Sequence, residues 1–175
     1  MMLLDGLYNS WFRPGLGRPN PPVAIVSILL VLTVLSFNAA GITNSTAGGW
    51  LGWFFLFLLG GAVGWFWLSA ALHMLARLLG GIGSVTDTLG AVAQSLWPLI
   101  LTGAANNLTK ISPRLGLLFS LGINLWVVVN LVRCVGREHQ LPWVRSVVCF
   151  GGAIILAELA LVGLILWPLM IALGM

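Results

Sequence analysis

Long apolar stretches broken by short polar punctuation dominate this chain. Residues 23–42 form the first, 20 residues without a charge. A helix rising about 1.5 Å per residue needs about 20 such residues to cross a ~30 Å hydrocarbon core. Residues 50–79 form the second, with the embedded part at 50–72 and His73 and Arg77 emerging beyond it. Residues 89–108 form the third. Pro98 lies inside it, and a proline without an N–H predicts a kink near Gln94. Residues 115–132 form the fourth and 147–173 the fifth. The fifth reaches ~40 Å as a helix, so tilt or an exit near Pro168 is expected. The pattern predicts an all-α polytopic membrane protein, a bundle of five transmembrane helices over residues 23–175, preceded by an interfacial segment at 1–22.

Composition agrees. The chain is 59% hydrophobic and 7% charged, with mean hydropathy +1.05, against about 25% charged residues in soluble domains. So few charges leave no water-facing surface, and contact with the lipid bilayer is implied. The basic residues stand singly between apolar runs, which is not a nucleic-acid footprint. Leu3, Leu4, Leu7, Tyr8 and Trp11 recur at helical spacing before a proline-rich stretch, allowing a short interfacial helix. No basic region precedes an apolar core there, so no cleavable signal is expected and the first span is read as a retained anchor.

Charge sets the expected orientation. Arg13, Arg18, Arg77, Arg133, Arg137 and Arg145 fall on one side of the five spans, Lys110 and Arg114 on the other. The positive-inside rule puts the first side, with the N-terminus, in the cytoplasm. A multi-pass protein of a bacterial inner or internal membrane is the expected location.

Three polar residues at membrane depth are candidate site residues: Glu158, Asn124 and His73. An ionisable group in hydrocarbon costs several kcal/mol unless paired or neutralised. Glu158 sits ~18 Å from its helix end, Asn124 ~14 Å and His73 ~9 Å. Depth therefore makes Asn124 the expected partner of Glu158 and His73 the second choice. Interhelical hydrogen bonding and an ion or proton role both remain open for Glu158. No carboxylate or cysteine joins His73 at ligand spacing, so no metal or other cofactor is expected. Cys134 and Cys149 fit no redox spacing and read as reduced thiols. No nucleophile–base or paired-carboxylate arrangement is present, and enzymatic activity is not expected. Gly60 and Gly64 form a small-xxx-small pair suited to close helix approach.

The hinge between the second and third spans carries the candidate cytoplasmic motif: Arg77, Gly80, Gly81, Gly83, Ser84 and Asp87. It lacks the Gly-Lys-Ser/Thr ending of a phosphate loop and follows an apolar helix rather than a strand. The spacing predicts a helix C-cap by Gly80 or Gly81, then an N-cap by Ser84 with Asp87 at the third helical position.

At this hinge the chain resembles the YIP-domain family, integral membrane proteins named for interacting with Ypt/Rab GTPases. The matching residues are His73 and Arg77, then Leu78-Leu79-Gly80-Gly81-x-Gly83-Ser84, then Thr88-Leu89 and a small-residue helix to Pro98. A later charged segment, Gly136-Arg137-Glu138-His139-Gln140-Leu141, also fits the family pattern. The resemblance implies a five-span domain and a non-enzymatic protein that organises membrane partners or bilayer shape. About 22 residues precede the first span, which looks like a short prokaryotic-type member, so Rab binding is not carried over. Two other readings stay open: a small ion, proton or solute channel or transporter using Glu158 and Asn124, and an accessory subunit of a larger membrane complex or a self-associating protein. Nine tryptophans and 22 glycines motivate the last.

Overall fold

A computed structural model describes Tyr8, residues 21–43 and residues 46–172. Apart from Tyr8, the expected N-terminal interfacial helix lies outside the described residues. Among the described residues from Pro21 on, six helices form: α1 (Pro21–Ile42), α2 (Ala47–Leu78), α3 (Val85–Ser95), α4 (Thr102–Ile111), α5 (Pro113–Glu138) and α6 (Trp143–Ala172), with a 3-10 turn at Trp97–Leu101 between α3 and α4. Among the described residues five segments are long and apolar enough to cross a membrane, α3, the turn and α4 together making one of them. This is the all-α, five-span architecture the apolar pattern predicts.

The third span differs from expectation in its middle. Pro98 does more than kink it. From Leu96 to Thr102 the backbone changes to i→i−3 bonding, with Leu96 N–H on the Ala93 carbonyl at 3.4 Å and Leu99 N–H on the Leu96 carbonyl at 3.0 Å. A proline removes one donor and its ring crowds the preceding turn, so the helix must reset. Hydroxyls bind carbonyls around the reset: Ser95 Oγ donates to Ala91 at 2.7 Å and Thr102 Oγ1 to Leu99 at 2.6 Å. Such local repair keeps a broken helix tolerable at membrane depth.

The fourth span also differs. Residues 133–145 are mostly helix rather than an extended charged loop, because α5 continues to Glu138 and α6 starts at Trp143. Arginine and glutamate are good helix formers, and arginines at spacing four extend a helix into the headgroup region while their stems stay against apolar surface. The loop proper is residues 139–142.

Helix α3 is the centre of the bundle. Thr88, Gly90, Ala91, Val92, Ala93, Gln94 and Ser95 are all buried. Its neighbours are α1, α2 and α5, while α6 packs on α2 and α5. Lipid tails are as apolar as leucine, so helices in a bilayer associate through close packing and interhelical hydrogen bonds rather than the hydrophobic effect. Small residues along α3 suit that position. One core cluster joins Leu72 and Ala76 of α2, Val92 of α3, Leu131 and Val135 of α5 and Cys149 of α6; a second joins Ala24, Ile28 and Leu32 of α1 to Ala93. Interhelical bonds add to it. Trp65 Nε1 donates to the Leu89 carbonyl at 3.0 Å, and Cys149 Sγ to the Leu72 carbonyl at 3.3 Å. Leucines and phenylalanines such as Leu59, Leu118, Leu125 and Phe55 face outward, as lipid contact requires.

The close approach on α2 is not at the expected glycine pair. A Cβ added at Gly60 or Gly64 meets nothing within 4 Å, whereas one at Gly61 runs into the Leu32 side chain. Gly61 is therefore the glycine that seats α1, and Gly60 and Gly64 face away from this chain's other helices.

Candidate functional site

Two helix ends meet at one end of the bundle, and both close in the same way. At the end of α2, Gly81 N–H returns to the Ala76 carbonyl at 2.8 Å and Gly80 N–H to Arg77 at 3.1 Å. At the end of α5, Leu141 N–H returns to Gly136 at 2.7 Å and Gln140 N–H to Arg137 at 3.1 Å. This paired return is the Schellman motif, which needs a left-handed residue just past the helix. Gly80 supplies it with φ +91°, and Gln140 with φ 53°. A non-glycine residue in that region carries strain of about 1 kcal/mol or more, held by its surroundings.

The two ends are tied together. Ile82 N–H donates across to the His139 carbonyl at 3.2 Å. Arg145 of α6 reaches the Leu79 carbonyl at 3.2 Å, and Arg77 reaches the Gly81 carbonyl at 3.3 Å. Both cations thus sit where α2 presents unsatisfied carbonyls and the negative end of its dipole. Close approach requires the glycines. A Cβ at Gly81 would lie 2.8 Å from the Ala76 carbonyl oxygen and 2.8 Å from His139, and one at Gly83 would lie 2.7 Å from the Glu138 carbonyl oxygen. Helix α3 then begins with Ser84 as N-cap, its hydroxyl accepting from Asp87 N–H at 3.1 Å.

Beneath this seam lies a buried polar junction. Thr88 Oγ1 is 2.8 Å from the Ser84 carbonyl, 2.8 Å from His139 Nε2 and 3.2 Å from His73 Nδ1. A hydroxyl has one proton, and a carbonyl can only accept, so that proton goes to Ser84. Both imidazoles must then donate to the hydroxyl oxygen. This fixes His73 with its proton on Nδ1 and His139 with its proton on Nε2. The Nδ1 of His139 is left as a bare lone pair, buried and without a partner. Burial first, then the neighbouring His73 and Arg77, hold His139 below the ordinary histidine value, with Asp87 pulling the other way. A neutral imidazole is what the junction requires. The rings of His73 and His139 are 5.2 Å apart. Among the described residues no three metal-ligating side chains cluster.

The expected hinge residues therefore converge: Arg77, Gly80, Gly81, Gly83, Ser84 and Asp87 all belong to this clamp, and His73 joins it from below. Glu158 and Asn124 do not. Glu158 is exposed on α6. Asn124 is exposed on α5, and its side chain donates to the Ser120 carbonyl of its own helix at 2.8 Å. The depth match between them is not a contact, because helical rotation turns both side chains outward. Sequence reasoning met Thr88, His139 and Gln140 only within the resembling segments and Arg145 only as a topology charge, and made none of them a candidate site residue. One signal was present: a small residue followed by arginine, Ala76-Arg77 and Gly136-Arg137, stands four residues before each left-handed position.

No curated protein and no solved structure matches the chain. A family model described as the Yip1 domain matches residues 12–171. That span takes in all six helices up to the last turn of α6, the Gly-Gly-x-Gly-Ser hinge and the segment carrying His139, so the chain belongs to the Yip1 domain family of multi-pass membrane proteins.

Proposed function

We propose that this chain is a non-enzymatic scaffold of its membrane. It presents one rigid polar end, on the cytoplasmic side of a bacterial inner or internal membrane, and a broad apolar flank on which membrane partners or further copies assemble. The observation that carries the reading is the clamp. Helix ends from α2, α3 and α5, and the start of α6, are locked by Thr88, His139, Arg77 and Arg145 into a fixed surface. The cytoplasmic assignment rests on Arg77, Arg133, Arg137 and Arg145 at this end against Lys110 and Arg114 at the other.

The polar residues at membrane depth favour this reading over conduction. Glu158 is outward and Asn124 is bonded within its own helix, so the two do not converge on a path. The apolar groove of about 460 Å³ between α2 and α6, lined by Trp67, Met74 and Leu159 among others, has no carboxylate among the described residues of its wall.

Photo-crosslinking in native membranes tests it. A crosslinking amino acid at the exposed positions Ile82 and Val144 is expected to capture membrane proteins, while liposomes holding the purified chain are expected to show no ion or proton flux. Flux that disappears in Glu158→Gln would replace the scaffold with a transporter.

A further inference from the structure

A second feature lies beside the clamp and shares the end of α5 with it. The end of α5, the 139–142 loop and the start of α6 enclose an open pocket of about 330 Å³, with Arg133, Gly136, Arg137, Gln140, Trp143 and Ser146 in its wall. We propose that this pocket binds the phosphate of an anionic phospholipid headgroup.

Four observations carry it. The first is charge. Arg133 and Arg137 stand at spacing four on α5, so both guanidiniums flank one concavity, and no acidic side chain lines it. The second is that these charges are unspent. Arg77 and Arg145 are committed to hinge carbonyls, whereas the guanidiniums of Arg133 and Arg137 have no hydrogen-bond or ion-pair partner among the described residues. The planar guanidinium fork matches phosphate oxygens in pairs, which makes arginine a strong phosphate ligand.

The third is that the concavity is built. Gly136 has no side chain because the Ser146 hydroxyl occupies that space, so α5 and α6 approach closely at the pocket floor. Gln140 is held at φ 53° by the two returning hydrogen bonds of the α5 end, which fixes its backbone at the rim. The fourth is position. The pocket opens where the apolar part of α5 gives way to charge, and Trp143 is 56% exposed beside it. Tryptophan favours the headgroup layer, and basic pockets between transmembrane helices are suited to anionic headgroups there. A zwitterionic lipid brings its own cation toward the two arginines, so a net-anionic lipid is preferred.

Native mass spectrometry of the full chain in neutral detergent tests this, with phosphatidylglycerol and phosphatidylcholine supplied in equal amounts. The wild type is expected to retain one phosphatidylglycerol. Two cations near the membrane surface predict a loss of about thirtyfold in that retention in R133Q/R137Q, and the conservative R133K/R137K should recover part of it. R114Q, which removes a cation at the other end of the bundle, should leave it unchanged. An unchanged thermal unfolding midpoint shows that R133Q/R137Q is folded. Equal retention of both lipids by the wild type, no loss in R133Q/R137Q, or an equal loss in R114Q would overturn the proposal. Displacement of the retained lipid by millimolar inorganic phosphate would move the assignment from a lipid to a soluble phosphate.

Discussion

Replacing Thr88 by valine keeps the shape of the side chain and deletes the oxygen on which two imidazoles converge. Thr88 is fully buried, and its hydroxyl accepts from His139 and His73 while donating to Ser84. The Ser84 carbonyl loses little, since Thr88 N–H still reaches it at 3.1 Å. His139 loses more. Its Nε2–H is left in a ring that is 1% exposed, and a buried donor without a partner costs about 1–3 kcal/mol. His73 is half-buried and recovers part of its bond from water. Thr88→Val is therefore expected to destabilise the fold by about 2–4 kcal/mol. Thr88→Ser keeps the hydroxyl and loses one methyl group, about 1 kcal/mol. At about 2–4 °C per kcal/mol for a chain of this length, the valine variant should melt about 4–16 °C below wild type in mild detergent, below the serine variant. The reasoning also predicts coupling: in a His139→Leu background, Thr88→Val should cost less, because the donor it orphans is gone. Valine melting no lower than serine, or a full cost in the His139→Leu background, refutes the junction as drawn.

Other outcomes follow from the same geometry. Gly81→Ala and Gly83→Ala place a methyl group under 3 Å from backbone oxygen and should each cost about 1–3 kcal/mol, whereas Gly64→Ala meets nothing and should leave the melting temperature in place. His139 titrates below its unfolded value of about 6.5. The unfolded chain therefore binds protons first as pH falls, so thermal stability should be flat above neutrality and decline below about pH 6.5; His139→Gln should flatten that decline, and an equally steep fall in the variant would assign it to other groups. Glu158→Gln alters an exposed side chain without a hydrogen bond among the described residues. At membrane depth an ionisable group without a partner is costly, so the neutral amide should leave stability unchanged or raise it, and a clear loss of stability on unfolding in detergent would refute the outward placement.

The apolar pattern alone determined the membrane, the helical class and five spans, because continuous apolar runs of about 20 residues satisfy their backbone in lipid as helices, whereas a barrel strand is about 10 residues of alternating pattern. Local chemistry also determined the hinge caps. Gly80 takes the left-handed position and Ser84 caps α3, since both depend only on residues a few positions away. Arg133 and Arg137 read as loop residues because charge alone does not distinguish a loop from a helix that extends past the hydrocarbon. Tertiary structure decided everything that depends on rotation about a helix axis. Glu158 and Asn124 match in depth, yet their helices turn both side chains outward, and depth carries no information about azimuth. Gly61 rather than Gly64 seats α1 for the same reason. His139 lies 66 residues beyond His73, and only the packing of α5 against α3 brings it onto Thr88. Sequence records which polar residues a membrane chain keeps; the packing of its helices decides which of them meet.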